Sequence, residues 1–139
     1  LRKRFKIHKD LNCNIALVKL FPGISSSILE AVFSAEDLEG VILETYGAGN
    51  CTTEKWFISL LRQVLKRKIP IINVTQCSGG AVAMGQYETS IQLKKIGVIS
   101  ARDMTTEAAI TKLMYLLNKD LGTVNFKETF EKSLRGEIS

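Results

Sequence analysis

The chain has 139 residues, of which 45% are hydrophobic and 24% are charged. These values suit one globular domain whose core needs no disulfide or metal to support it. No apolar run approaches the roughly 18 residues of a membrane span, and the sequence opens without an initiator Met or a signal peptide. We therefore expect a piece of a longer, soluble protein rather than a membrane protein.

The net charge of +5 is concentrated at one end. Residues 1–10 contain five basic side chains and one acidic side chain, whereas the remaining chain has 14 basic and 13 acidic residues. Such a tail could contact phosphates, but it has no aromatic interleaving beyond Phe5, and a solvated linker is the favoured interpretation. We expect no nucleic-acid partner.

The three cysteines, Cys13, Cys51 and Cys77, form no C-x-x-C pair and are odd in number. That usage argues against a disulfide framework and favours a reducing compartment, the cytoplasm. With only one histidine, His8, the chain has no ligand spacing for a metal. We therefore expect neither a metal nor a cofactor.

In chain order, strands alternate with amphipathic helices. The first strand is predicted at 15–20, and a helix follows Ser25, Ser26 and Ser27, whose hydroxyls suit an N-cap. Strands are predicted at 41–45, 71–74 and 98–100, and helices at 53–68, 88–95, 105–117 and 124–134. The 53–68 helix has an apolar face of Trp56, Leu60, Leu61, Val64 and Leu65. This alternation predicts an α/β domain with a parallel sheet.

Each predicted strand runs into a polar or glycine-rich loop. Because parallel strands end at one edge of the sheet, we expect these loops to meet there and form a ligand site. The segment Gly47-Ala48-Gly49-Asn50 is the most informative of them. It lacks a dinucleotide fingerprint, since Thr52 stands where the third glycine would be, and it lacks a P-loop. It is either a tight turn or an opening into which Asn50 points its amide.

No complete catalytic set is present. Cys77 lies in a glycine-rich turn, but no base is near it in the sequence, so a small buried hydrophobe or a pocket wall is favoured over a nucleophile. Glu88 either complements a helix dipole or holds a ligand ammonium group. Glu107 is predicted to complement the dipole of the following helix, and Asp103 to act as a turn or cap acceptor. The chain therefore binds only, or lends residues to a site completed elsewhere.

Seven motifs occur in order along the whole chain. They are Leu20-Phe21-Pro22-Gly23-Ile24, Tyr46-Gly47-Ala48-Gly49-Asn50, Asn73-Val74-Thr75-Gln76-Cys77, Gly97-Val98-Ile99-Ser100, Asp103-Met104-Thr105-Thr106-Glu107-Ala108, Thr111-Lys112-Leu113 and Leu134-Arg135-Gly136-Glu137.

In these motifs the sequence resembles the C-terminal domain of cytoplasmic (type I) L-asparaginases. The resemblance implies a flavodoxin-like, Rossmann-like three-layer domain with a four-stranded parallel sheet. It implies an amidohydrolase that converts L-asparagine to L-aspartate and ammonia, with a threonine nucleophile on an N-terminal domain that is absent here. Residues 1–12 would be a basic lead-in and 13–139 the domain proper. The domain would complete the site of a neighbouring subunit in a homodimer or homotetramer, and would be inactive alone.

The resemblance also assigns residues. Asn50 looks like the asparagine that reaches the partner subunit's substrate, and Glu88 like the carboxylate for the substrate's α-ammonium group. Cys77 matches a cysteine of an allosteric asparagine site found in some bacterial members. The arginine of that site is replaced here by Glu44, and a carboxylate cannot replace a guanidinium as the partner of a ligand carboxylate. We therefore expect allosteric asparagine binding to be lost or altered.

Two alternatives remain open. One is an asparaginase-like subunit of a glutamyl-tRNA(Gln) amidotransferase, which shares the Val-Ile-Ser and Asp-Met-Thr motifs. The other is a stand-alone amino-acid-binding regulatory module.

Overall fold

The computed structural model describes residues 7, 9–47, 49, 51–52, 54–77, 81–82, 88–119 and 121–139, apart from the side chains of 123 and 124. Strands and helices alternate as far as β4, and two further helices follow. In chain order the elements are β1 (Ile15–Lys19), α1 (Ser26–Phe33), β2 (Gly40–Thr45), α2 (Lys55–Lys66), β3 (Ile71–Thr75), α3 (Glu88–Ile96), β4 (Ile99–Ser100), α4 (Thr106–Leu117) and α5 (Thr123–Phe130).

The four strands form one parallel sheet in the order β1-β2-β3-β4. Consecutive parallel strands joined by crossovers of one hand place their connecting helices on one face of the sheet. Accordingly, α1, α2 and α3 pack on one face, whereas α4 and α5 cover the other. The predicted α/β class with a four-stranded parallel sheet between helical layers is confirmed.

The two central strands supply both cores. Alternate residues of β2 point to opposite faces, so that Leu43 joins Phe57 and Leu61 in the α1–α3 layer while Ile42 joins the α4–α5 layer. Because both faces of β2 and β3 are covered, the strands are almost continuously apolar.

The ends of two helices need correction. The predicted apolar face of α2 does pack on the core, where Trp56 is partly buried and its neighbour Phe57 is fully buried. The helix ends at Lys66 rather than at 68, and the guanidinium of Arg67 donates to the carbonyls of Phe33 and Ala35 at the end of α1, at 2.5 and 2.9 Å.

The last helix, α5, ends at Phe130 rather than at 134. The residues after it are held by Glu137, whose carboxylate accepts the backbone N–H groups of Leu134 and Arg135. The same carboxylate pairs with the buried ammonium of Lys112 on α4, at 2.5 Å. These bonds replace the helical ones that a continuation of α5 would have made.

None of the helices in the described part of the chain is long and apolar enough to cross a membrane.

Candidate functional site

The ends of β1, β2 and β3 are joined by one side chain at the carboxyl edge of the sheet. The side-chain amide of Gln76, just after β3, donates to the carbonyl of Leu20 at 2.7 Å and to that of Glu44 at 2.9 Å. The backbone N–H of Gln76 also donates to the carbonyl of Thr45. One polar residue therefore satisfies backbone acceptors at the point where the strands stop.

The loop after β2 is held from β3. The Gly49 N–H donates to the carbonyl of Tyr46 at 3.0 Å, which closes a tight turn. The Thr75 hydroxyl donates to the carbonyl of Gly47, and the Asn73 amide donates to the carbonyl of Gly49 at 3.3 Å. Gly47 and Gly49 both have positive φ, at 46° and 104°, which glycine adopts without strain.

The edge continues to β4 through Val82. Its N–H donates to the carbonyl of Arg102 at 2.7 Å, and its own carbonyl accepts the Ser100 hydroxyl at 3.2 Å. The Val82 side chain also lies close to Gly49. Described residues that follow all four strands are thus in contact at the carboxyl edge, as the sequence predicted.

Two adjoining hollows open on this surface. One, of 470 Å³, lies between the ends of β1, β2 and β3, and the other, of 310 Å³, lies between the β1 loop and the start of α2. They share Phe21, Pro22 and Tyr46, and the smaller hollow is also lined by Glu54. The carboxylate of Glu54 accepts the indole N–H of Trp56 at 2.5 Å.

Two groups near the hollows, Cys51 and Tyr46, have raised pKa values. Burial raises the pKa of the Cys51 thiol to about 12, so this thiol is not a nucleophile at neutral pH. Burial, and then the proximity of Cys51, raises the pKa of Tyr46. Neither group can therefore act as a general base at neutral pH.

A family comparison decides what kind of domain carries this surface. The glutaminase/asparaginase C-terminal domain family matches residues 14–130. The chain belongs to this family.

Relatives of this asparaginase domain agree with the family match. L-asparaginase 1 of Escherichia coli is 39% identical over 125 residues, which are 90% of this chain and 37% of the relative. A glutamyl-tRNA(Gln) amidotransferase subunit of Archaeoglobus fulgidus is 34% identical over 136 residues, or 98% of this chain and 31% of the relative. The structure of L-asparaginase I from Vibrio cholerae superposes with a TM-score of 0.89 at 34% identity, covering 99% of this chain and 41% of that one. The chain thus spans less than half of each.

The two predicted substrate-binding residues of the asparaginase domain remain predictions. Asn50 lies outside the described residues. Glu88 is exposed and is the first residue of α3, and no hydrogen bond or ion pair joins its side chain to another described residue. Since α3 follows β3 and runs back across the sheet, its first turn belongs to the carboxyl edge.

The predicted allosteric residues are both described. Glu44 accepts the Thr106 hydroxyl at 2.6 Å and lies 4.0 Å from the Lys19 ammonium, with 15% of its side chain exposed. Cys77 is exposed, so the expectation of a buried hydrophobe is wrong for it. Its N–H donates to the Thr75 hydroxyl at 3.0 Å, which turns the chain outward past the end of β3. No hydrogen bond joins Cys77 to Glu44 within the described residues.

Of the two acidic residues predicted to act near the start of α4, Asp103 has a different hydrogen-bond partner from the one expected. Thr105, not Asp103, caps the helix, accepting the N–H of Ala108 at 3.2 Å. Both oxygens of Asp103 instead accept the N–H of Ser139, and hydrogen bonding to Ser139 lowers the pKa of Asp103. Glu107 lies in the first turn of α4, as expected.

Sequence reasoning missed the residues that hold the carboxyl edge together, Gln76, Asn73 and Thr45. One signal was present in the sequence: Asn73 interrupts the apolar run of β3, and a polar side chain in a buried strand needs hydrogen-bond partners. In the described residues, no group of three His, Cys, Asp or Glu side chains could hold a metal ion.

Proposed function

We propose that this chain is the C-terminal domain of a cytoplasmic, homo-oligomeric L-asparaginase and that it completes the substrate site of a neighbouring subunit. Residues 1–12 lead into it from an N-terminal domain that carries the threonine nucleophile. The carrying observation is a continuous polar carboxyl edge in a domain of the asparaginase family. Its described residues offer groups that can bind a polar ligand.

The chemistry of L-asparagine suits the two assigned side chains. Asn50 offers an amide that can donate to and accept from the polar groups of the substrate. Glu88 offers a carboxylate for the α-ammonium group, and a charge-assisted hydrogen bond of this kind is strong once the partner subunit excludes water. The nucleophilic attack and the release of ammonia occur on the other domain.

The environment of Glu44 supports the loss of allosteric asparagine binding. Its carboxylate already accepts the Thr106 hydroxyl and lies beside Lys19, so it offers negative charge where a ligand carboxylate would need a cation. Like charges brought together there would repel one another.

Activity measurements with two chains test the proposal. The 139-residue chain alone should release no ammonia from asparagine, and calorimetry should detect negligible asparagine affinity because half of the site is missing. The same chain joined to its upstream region should hydrolyse asparagine. Hydrolysis by the 139-residue chain alone, or inactivity of the longer protein, would contradict the proposal.

A matched pair of variants tests Glu88. Glu88 and Glu107 are both exposed acidic residues in the first turn of a helix, so both substitutions remove the same charge from the same kind of position. In the longer protein, Glu88→Gln should reduce kcat/KM at least about tenfold, because a hydrogen bond to a charged group is lost, whereas Glu107→Gln should leave it unchanged. Equal effects would show that Glu88 has no special role.

The similarity to the Archaeoglobus fulgidus protein over nearly the whole chain supports the amidotransferase alternative as a second candidate function. A pull-down with the longer protein separates the two functions. Recovery of a second amidotransferase subunit, together with hydrolysis that depends on it, would replace the asparaginase proposal; recovery of copies of the same protein supports it.

A further inference from the structure

Two fully buried polar side chains lie beneath the loop that follows β2. Thr45 is the last residue of β2 and Asn73 is the third residue of β3, and both have 0% exposure. They lie on the face of the sheet covered by α1–α3. Burying polar groups there costs free energy unless each one is hydrogen-bonded, so their presence calls for a reason beyond packing.

The hydrogen bonds of this Thr45–Asn73 pair fix its orientation. The Gly49 carbonyl can only accept, so it must face the amide nitrogen of Asn73, which lies 3.3 Å away. The amide oxygen of Asn73 then faces Thr45, whose hydroxyl lies 2.6 Å from it and 3.1 Å from the carbonyl of Val74; the shorter contact is to Asn73. Both contacts fit the same orientation of the Asn73 amide, and the direction of donation runs from the end of β2 through β3 to the loop.

Gly49 is the point at which this bonding reaches the loop. A β-carbon at this position would lie 3.1 Å from the Asn73 amide nitrogen and 2.8 Å from a methyl group of Val82, so only glycine allows the close approach. The carbonyl of Gly49 belongs to the planar peptide group that leads into residue 50. Holding that carbonyl therefore restrains the Gly49 end of this peptide group.

We infer that Thr45 and Asn73 are positioning residues, which hold the Gly49 carbonyl and with it the backbone that precedes Asn50, the residue proposed to contact the substrate of the neighbouring subunit. This inference rests on the proposed function. Neither residue contacts the substrate. They act through the Gly49 carbonyl, and Thr75, which binds the Gly47 carbonyl, holds the same loop at a second point.

The test uses two variants of Thr45 in the longer protein. Thr45→Val keeps the volume but removes the hydroxyl donor, whereas Thr45→Ser keeps the donor. Without this donor the Asn73 amide oxygen loses a hydrogen bond, which weakens the hold of Asn73 on the Gly49 carbonyl. Thr45→Val should therefore reduce kcat/KM about tenfold, mainly through KM, while Thr45→Ser should stay close to the wild type.

A control separates positioning from general loss of stability. Ile72 is also fully buried on β3 but points to the opposite face, and Ile72→Val removes one methyl group. It should lower the melting temperature to an extent comparable with Thr45→Val but leave kcat/KM unchanged. Amide hydrogen exchange, followed by mass spectrometry, should accelerate in the 46–49 loop of Thr45→Val and not in that of Ile72→Val.

Each outcome has a distinct meaning. Wild-type exchange and kcat/KM in Thr45→Val, or equal losses in Ile72→Val, overturn the inference. Accelerated exchange with unchanged kcat/KM in an active enzyme also overturns it, since the loop is then held for another purpose. If the wild-type protein hydrolyses no asparagine, the proposed function fails, and exchange alone decides whether the pair holds the loop.

Discussion

Removing the negative charge of Glu137 is the most informative perturbation of stability. The Lys112 side chain is only 4% exposed, and its ammonium lies 2.5 Å from this carboxylate. Its other described contacts are the carbonyl of Lys132, at 2.6 Å, and the ring of Phe130, at 5.2 Å from its centroid. In Glu137→Gln the lysine would remain buried and charged without its counter-charge.

The expected loss of stability is large because the substitution removes the charge of Glu137 and leaves that of Lys112. Breaking a buried ion pair lowers the free energy of unfolding by about 3–5 kcal/mol. Because Lys112 keeps its other contacts, we expect the lower end of this range, about 3 kcal/mol. The reciprocal variant Lys112→Met should cost less, about 1–2 kcal/mol. There the Glu137 carboxylate still accepts the N–H groups of Leu134 and Arg135, and methionine fills the space of the lysine stem.

Urea unfolding of the 139-residue chain, followed by circular dichroism at several pH values, measures both effects. Burial opposes ionisation of Glu137, but the Lys112 and backbone hydrogen bonds outweigh it and lower its pKa from 4.5 to about 2. Because the pKa in the folded state is the lower one, the carboxylate stabilises the fold fully above pH 4.5. This contribution is lost as the pH falls toward 2, so the gap between the wild type and Glu137→Gln should close there.

The control is Glu128→Gln, which replaces an exposed glutamate on α5 whose carboxylate forms no hydrogen bond or ion pair with another described residue. Its effect should stay within about 0.5 kcal/mol at every pH. The reasoning is refuted if Lys112→Met is the more destabilising of the two variants. It is also refuted if the gap between wild type and Glu137→Gln does not change between roughly pH 6 and pH 2.

Three further outcomes are expected. Gly49→Ala should destabilise the chain by about 2 kcal/mol more than Gly97→Ala. Both glycines have a φ of 104°, but only at Gly49 would the new methyl group collide with its neighbours. Equal urea midpoints for the two variants would contradict this. Iodoacetamide should modify the exposed Cys77 but should not modify Cys51 until urea is added. The reason is that burial raises the pKa of the Cys51 thiol to about 12. Modification of Cys51 before urea is added, detected by mass spectrometry, would contradict this. If Glu44 stands where the resembled bacterial enzymes have the allosteric arginine, as we propose, initial rates of the longer protein should rise hyperbolically with asparagine. A sigmoidal curve would disprove this.

The order of the elements and the parallel sheet could be predicted from the sequence because they depend on local patterns. Short apolar runs, ended by polar loops and separated by amphipathic helices, allow little besides βαβ crossovers. The resemblance to asparaginase C-terminal domains, carried by seven ordered motifs, is likewise confirmed by the family match.

Contacts between distant segments decided what local patterns could not. Both Trp56 and Phe57 fit an apolar helix face, and only the position of α2 over the sheet buries Phe57. Similarly, α5 ends at Phe130 because the following backbone binds Glu137. In each case the deciding partner lies outside the helix itself.

At the carboxyl edge, too, some features follow from the sequence alone and others only from the tertiary structure. By itself the sequence determined that four polar loops meet at one edge, because parallel strands all end there. Only the tertiary structure decided that Cys77 turns outward and that Thr45, Asn73 and Gln76 hold the loops in place. A side chain's hydrogen-bond partner is set by register and sheet order, since residues 28 positions apart, such as Thr45 and Asn73, become neighbours only when the strands pair.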